Sequence, residues 1–192
     1  MIKHEESVPI FLPKASPKFI IMGTMVAINA RIIDGVKPTE ETFFYHNNRN
    51  HFWRILQYLV DPNLRDGEAK KKLSIPEKRQ LLIKNKIGII NLVQSVIVPN
   101  KYRHDPSDTV LFEAYQKNRI QYKTLNQTTK KIIQNTPLYF TCREKAGIRN
   151  LLNGFLQYNQ LPDSIKNNIW YWSTPTRCNP FRRSQDWRHE MI

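Results

Sequence analysis

Four short runs of unbroken apolar residues punctuate the chain. They are Phe19-Ile20-Ile21-Met22 before Gly23, Ile87-Gly88-Ile89-Ile90 before Asn91, Leu138-Tyr139-Phe140 before Thr141, and Ile169-Trp170-Tyr171-Trp172 before Ser173. Continuous apolarity, in place of alternation, predicts strands covered on both faces, as in a parallel sheet. Helical spacing lies between the runs. Phe52, Ile55, Leu56 and Leu59 recur on one helical face, and Ser74-Ile75-Pro76-Glu77 carries the capping-box pattern with an early proline. Leu125 to Gln134 predicts a helix stopped by Pro137. Arg143 to Tyr158 gathers Ile148, Leu151, Leu152, Phe155 and Leu156 on one side, and Ser184 to His189 predicts a short terminal helix. Val98 to Ser107 reads as a long loop. The alternation of strands and helices predicts an α/β fold: a three-layer α/β/α sandwich with a central four-stranded, mainly parallel sheet and right-handed crossovers. No repeat or low-complexity tract is visible, and residues 1–192 read as a single domain.

Composition narrows the partner more than the fold. At 40% hydrophobic and 11% aromatic the chain has material for a packed core. Its 30 Lys and Arg face 16 Asp and Glu, a formal charge of +14. The bases cluster at Lys70-Lys71-Lys72, at Lys78, Arg79, Lys84 and Lys86, at Lys101 and Arg103, at Lys130-Lys131, and at Arg177, Arg182, Arg183 and Arg188. Any one cluster reads as a solvated face. Together, with few acids to balance them, they point to a polyanion, nucleic acid above all. A membrane surface also attracts such charge, but no amphipathic segment stands out as an anchor. No segment reaches transmembrane length, and the N-terminus lacks the apolar run of a signal peptide. Cys142 and Cys178 are far apart and lack histidines at metal-ligand spacing, so they read as free thiols of a cytoplasmic protein.

The segment Phe43-Phe44-Tyr45-His46-Asn47-Asn48-Arg49-Asn50-His51-Phe52-Trp53 is the chemically richest. Amides, a cation, imidazoles and aromatics together suit a flat polar ring such as a nucleobase. They equally suit an irregular loop whose aromatics anchor it to the core. Open parallel sheets bind ligands at the carboxyl ends of their strands, which here are Gly23-Thr24-Met25, Asn91, Thr141 and Ser173-Thr174. Taken singly, Asn91 reads also as a turn cap and Ser173-Thr174 as the start of a loop. Phosphate-binding glycine loops, the G-x-S-x-G elbow, zinc-binding His spacing and a carboxylate cluster for metal are not found. A reaction needing no metal and little formal acid–base machinery fits what is left.

These residues resemble the uracil-DNA glycosylase superfamily. The run from Tyr45 to Trp53 is similar to its aromatic-x-x-Pro-x-Asn-x-Phe-Trp segment, with the mismatch-specific and hypoxanthine/uracil branches nearest. Gly23-Thr24-Met25 stands at the first motif, Gly88-Ile89-Ile90-Asn91 at the second strand, and Ser173-Thr174-Pro175-Thr176-Arg177 at the last motif. The resemblance implies a DNA glycosylase that hydrolyses the N-glycosidic bond of a deaminated base, uracil or hypoxanthine, in base excision repair. By resemblance Tyr45 stacks on the extruded base and Asn91 reads its edge. Gly23, Thr24 and Met25 face its carbonyl, Ser173, Thr174 and Arg177 grip phosphates, and Asn47 or Asn50 positions water. The partner implied is DNA carrying such a base, with no obligatory protein partner. The pattern departs from the family in three places. The first motif lacks its usual Asp or Asn, Asn48 replaces the proline, and the last motif has no histidine. A non-catalytic nucleic-acid-binding module on the same fold is the alternative.

Overall fold

The computed structural model describes residues 1–39, 41–45, 50–105 and 107–191. In chain order the strands are β1 (Ile2–Glu6), β2 (Phe19–Gly23), β3 (Arg31–Ile33), β4 (Ile87–Asn91), β5 (Val93–Val98), β6 (Ile120–Tyr122), β7 (Leu138–Phe140) and β8 (Ile169–Tyr171). The α-helices are α1 (Phe52–Val60), α2 (Ile75–Asn85), α3 (Asp108–Gln116), α4 (Gln127–Gln134), α5 (Ala146–Tyr158) and α6 (Pro180–His189).

The four apolar runs form one parallel sheet in the order β4-β2-β7-β8. Its side chains alternate between two separate cores, which is why each run is apolar at every position. Ile20, Met22, Ile90, Leu138 and Phe140 pack with Val110 and Leu111 of α3 and Ile148, Leu151 and Phe155 of α5. Phe19, Ile21, Ile87, Ile89 and Tyr139 pack on the other side with Ile55 and Leu56 of α1, Leu82 of α2 and Trp187 of α6. Burial of this kind is worth roughly 1.5–3 kcal/mol per large side chain.

The expected capping box is present. Ser74 and Glu77 satisfy each other's backbone N–H groups at the start of α2. Asn126 caps α4 by accepting from the Thr129 N–H at 2.8 Å. α6 begins at Pro180, four residues before the expected Ser184, because Asn179 accepts the Arg182 N–H at 3.0 Å and Pro180 supplies a ready-made first turn.

A second sheet stands beside the expected parallel one. It is four-stranded and antiparallel, in the order β3-β1-β5-β6. Its strand β1 buries Ile2, His4 and Glu6, so polar residues occupy inward positions and the apolar alternation is masked. β5 follows β4 through Leu92 alone, and the two sheets are therefore consecutive along the chain at Asn91. The expected loop from Val98 holds a 3-10 turn at Asn100–Tyr102 and leads into α3. Among the described residues no helix is long and apolar enough to cross a membrane.

Candidate active site

The carboxyl ends of β2, β4 and β7 meet at one edge. Gly23 pairs with Asn91 across the ladder, and the Thr141 N–H donates to the Met22 carbonyl at 3.3 Å. Beyond this edge opens a cavity of about 820 Å³, bordered by Gly23 to Ala27, Tyr45, Asn50, Asn91, Asp108, Thr141 and Thr174 to Arg177. The volume lies within the range of small-ligand sites.

Asn91 is 3% exposed, and its amide orientation is fixed from behind. Its Nδ2 donates to Glu6 Oε1 at 3.1 Å. Its Oδ1 lies over Gly23: a Cβ on Gly23 would stand 2.4 Å from that oxygen and 3.5 Å from the Tyr45 hydroxyl. A side chain there would have to displace the Asn91 amide.

Glu6 comes from β1 of the antiparallel sheet. Its Oε2 accepts the Val26 N–H at 3.0 Å, and the buried Lys123 ammonium lies 3.8 Å from Oε1. Burial pushes the Glu6 carboxyl up and the Lys123 ammonium down, each opposed by the charge of the other. Arg31 Nε donates to the Val26 carbonyl at 2.8 Å. Both backbone groups of Val26 are thus pinned, which holds the turn after β2 in place.

Tyr45 stacks on Phe52 with ring centroids 3.8 Å apart and an interplanar angle of 13°. Its hydroxyl shares a hydrogen bond of 2.7 Å with Thr141 Oγ1, and burial raises its pKa above the ordinary phenol value. Its φ of +52° is left-handed, as is the +51° of Arg177. For non-glycine residues this costs about 1 kcal/mol or more and needs surrounding contacts to hold it. The other aromatics of the segment are core. Phe43, Phe44, Phe52 and Trp53 are at most 7% exposed, and Trp53 Nε1 donates to the Phe44 carbonyl at 2.9 Å. Of the aromatic cluster, Tyr45 and Phe44 reach the cavity.

Asn50 borders the cavity, but its Oδ1 already accepts the N–H of Phe52, the first residue of α1, at 2.9 Å. An antiparallel bridge between Asn50 and Thr176, with the His51 N–H donating to the Pro175 carbonyl at 3.0 Å, ties this segment to the last motif. Asn47 lies outside the described residues. Thr174 and Arg177 line the cavity. Ser173 does not: its N–H and Oγ both donate to the Glu190 carboxylate, at 3.2 and 3.1 Å. The structure therefore brings Gly23, Thr24, Met25, Tyr45, Asn50, Asn91, Thr174 and Arg177 together and leaves Ser173 aside.

One residue was missed by sequence reasoning. Asp108, the first residue of α3, is the one acid among the described cavity residues, and its Oδ1 accepts from Thr24 Oγ1 at 2.7 Å. A carboxylate therefore stands beside the first motif although the motif itself contains none. It enters from 84 positions downstream, beyond the reach of any local pattern. Nearby Cys142 is not a ready nucleophile. Burial, then the charge of Asp108, pushes its thiol up to about 12.

No family model matches the chain, and neither does any curated protein. Among solved structures it is similar to the solution NMR structure of a candidate uracil DNA glycosylase from Methanosarcina acetivorans. The two are 16% identical, with 98% of this chain and 96% of that one covered, at a TM-score of 0.54. The chain thus shares the overall fold of that protein.

Proposed function

We propose that the protein is a monofunctional DNA glycosylase of the uracil-DNA glycosylase superfamily, acting on uracil or hypoxanthine in DNA in the manner of the mismatch-specific and hypoxanthine/uracil branches. The observation that carries this reading is the meeting of Asn91, Gly23 and Tyr45 on one cavity at the carboxyl edge of the parallel sheet.

The target base leaves the duplex at a cost of about a few kcal/mol, less for a mismatched base. It stacks on the side of Tyr45 opposite Phe52, and Asn91 reads its edge. N–H groups of Thr24 and Met25 face the carbonyl on which charge collects as the bond stretches. Such fixed dipoles stabilise the transition state more than the ground state. Asp108 takes the place of the acid missing from the first motif. It accepts a proton from water as the water oxygen bonds to C1′, and the C1′–N electron pair departs with the base. Asn50 helps to place that water, and Thr174 and Arg177 hold the flanking phosphates. The chemistry draws on no metal or organic cofactor. The free thiols suit a reducing cytoplasm.

The test is release of base from oligonucleotides carrying uracil or hypoxanthine opposite each normal base, read by alkaline strand scission. Scission at the lesion supports the reading. Tight binding without scission assigns the protein to the class of non-catalytic binding modules, and neither binding nor scission removes DNA as its substrate.

A further inference from the structure

An asparagine amide presents a carbonyl on one side and an amine of similar shape on the other, so the side that faces a ligand decides which ligand edge it accepts. At Asn91 that choice is made by Glu6. With N–H donors on both oxygens and the Lys123 ammonium 3.8 Å from Oε1, Glu6 sits as a carboxylate, which only accepts: Oε2 from the Val26 N–H at 3.0 Å, Oε1 from Asn91 Nδ2 at 3.1 Å. The Glu6 side chain is fully inaccessible, so water cannot take over either bond. Lys123, itself anchored by Nζ on the Val8 carbonyl at 2.6 Å, stands behind the same oxygen that holds Asn91. With its amine held this way, the amide keeps Oδ1 on the side of Gly23 and the Tyr45 hydroxyl.

We propose that Glu6 is the positioning residue for base selection: by holding the Asn91 amine it turns an acceptor toward the cavity, which then takes a base edge bearing an N–H and rejects one bearing a lone pair. The inference rests on the glycosylase reading above and extends it to a residue of the other sheet. Uracil offers N3–H and hypoxanthine N1–H to such an acceptor. Cytosine and adenine present bare nitrogens at the same places.

Glu6→Gln tests this directly. The Val26 N–H is backbone and cannot turn away, so the single oxygen of the glutamine must serve it. The glutamine amine then faces Asn91, which has to rotate and present its own amine to the cavity. Single-turnover release of uracil is expected to fall roughly ten- to a hundred-fold. The preference for uracil over cytosine should narrow, while affinity for undamaged duplex stays unchanged. In an Asn91→Ala background the same substitution should change uracil release less than twofold. Glu6→Asp, still an acceptor only, should keep the preference even where the rate drops. A folded Glu6→Gln protein with the wild-type uracil-to-cytosine ratio, or an equal loss in the Asn91→Ala background, overturns the proposal.

Amide exchange on labelled wild-type protein gives a readout that needs no variant. The Asn91 side-chain protons should exchange slowly, and rapid exchange also overturns the proposal. If the wild type releases no base at all, the glycosylase reading fails by itself. The uracil-over-cytosine preference in binding, compared between wild type and Glu6→Gln, then decides the role of Glu6.

Discussion

Gly23→Ala is the sharpest single probe of the site, because it adds one methyl group at a known distance from one known atom. The new Cβ would stand 2.4 Å from Asn91 Oδ1, and contacts under 3.0 Å are essentially never seen, so the two must separate by at least 0.6 Å. Backbone strain is not involved, since Gly23 does not adopt the left-handed region that disfavours alanine. Nor can the amide swing freely, with Nδ2 held by Glu6 at 3.1 Å and the residue 3% exposed. Relief must come from stretching that hydrogen bond, worth about 1 kcal/mol, or from shifting β4, at an overpacking cost of about 1–3 kcal/mol. A misplacement approaching 1 Å of a positioning group costs about a hundred-fold in rate. Gly23→Ala should therefore lose ten- to a hundred-fold in single-turnover uracil release, by the same principle, and melt a few degrees lower. In an Asn91→Ala background, where the obstructing oxygen is gone, the stability loss should nearly vanish. Melting curves and strand-scission kinetics on the four proteins measure both. Wild-type kinetics in Gly23→Ala, or an undiminished stability loss without Asn91, would falsify the geometry on which the base-reading role depends.

Three further outcomes follow from other parts of the molecule. Asp108→Asn retains an acceptor for Thr24 but removes the base, so uracil release should drop about 10²–10⁴-fold with uracil-oligonucleotide affinity intact; a change under twofold removes Asp108 from the chemistry. His4 is fully buried, and burial, then the Arg31 charge, lowers its pKa to about 4. It folds neutral, accepting from Arg31 Nη1 at Nδ1 over 3.3 Å. Its contribution to stability is therefore complete above pH 6.5 and is lost as pH falls toward 4. The loss approaches about 3 kcal/mol. His4→Asn, compared with wild type by denaturant unfolding between these limits, should lack that slope, and equal slopes would refute the assignment. Finally, log affinity for DNA should fall linearly with log salt, and Arg177→Ala should reduce the slope by about one; an unaltered slope takes Arg177 off the phosphate backbone.

The legible parts of this chain are those in which a single local rule dictates the outcome. The parallel strands were readable because both of their faces are buried, which makes every position apolar, and α2 was readable because Ser74 and Glu77 can serve each other only at a helix start. β1 was hidden because its inward positions hold His4 and Glu6, whose partners Arg31, Val26 and Lys123 are remote in sequence. α3 escaped notice because Val110, Leu111 and Ala114 make only a short apolar stripe after a polar loop. The start of α6 was present in Asn179-Pro180 and was overlooked. In the site, Gly23, Asn91 and Thr141 border the cavity because topology carries strand ends there, whereas Ser173 turns to Glu190. Asp108 was not legible, since only the folded chain brings α3 beside Thr24. The aromatic segment suits a flat ligand or a core anchor on sequence alone; in the fold most of its described rings pack inward on one another.

The passage of the chain from β4 through Leu92 straight into β5 makes the position proposed to read the base a seam. Asn91 belongs to one sheet, and the carboxylate that orients it belongs to the other. Neither sheet alone can assemble this corner, so during refolding selectivity should return no sooner than the slower of the two. A temperature shift or substitution that loosens the antiparallel sheet should blur the choice of base before it abolishes attachment to DNA.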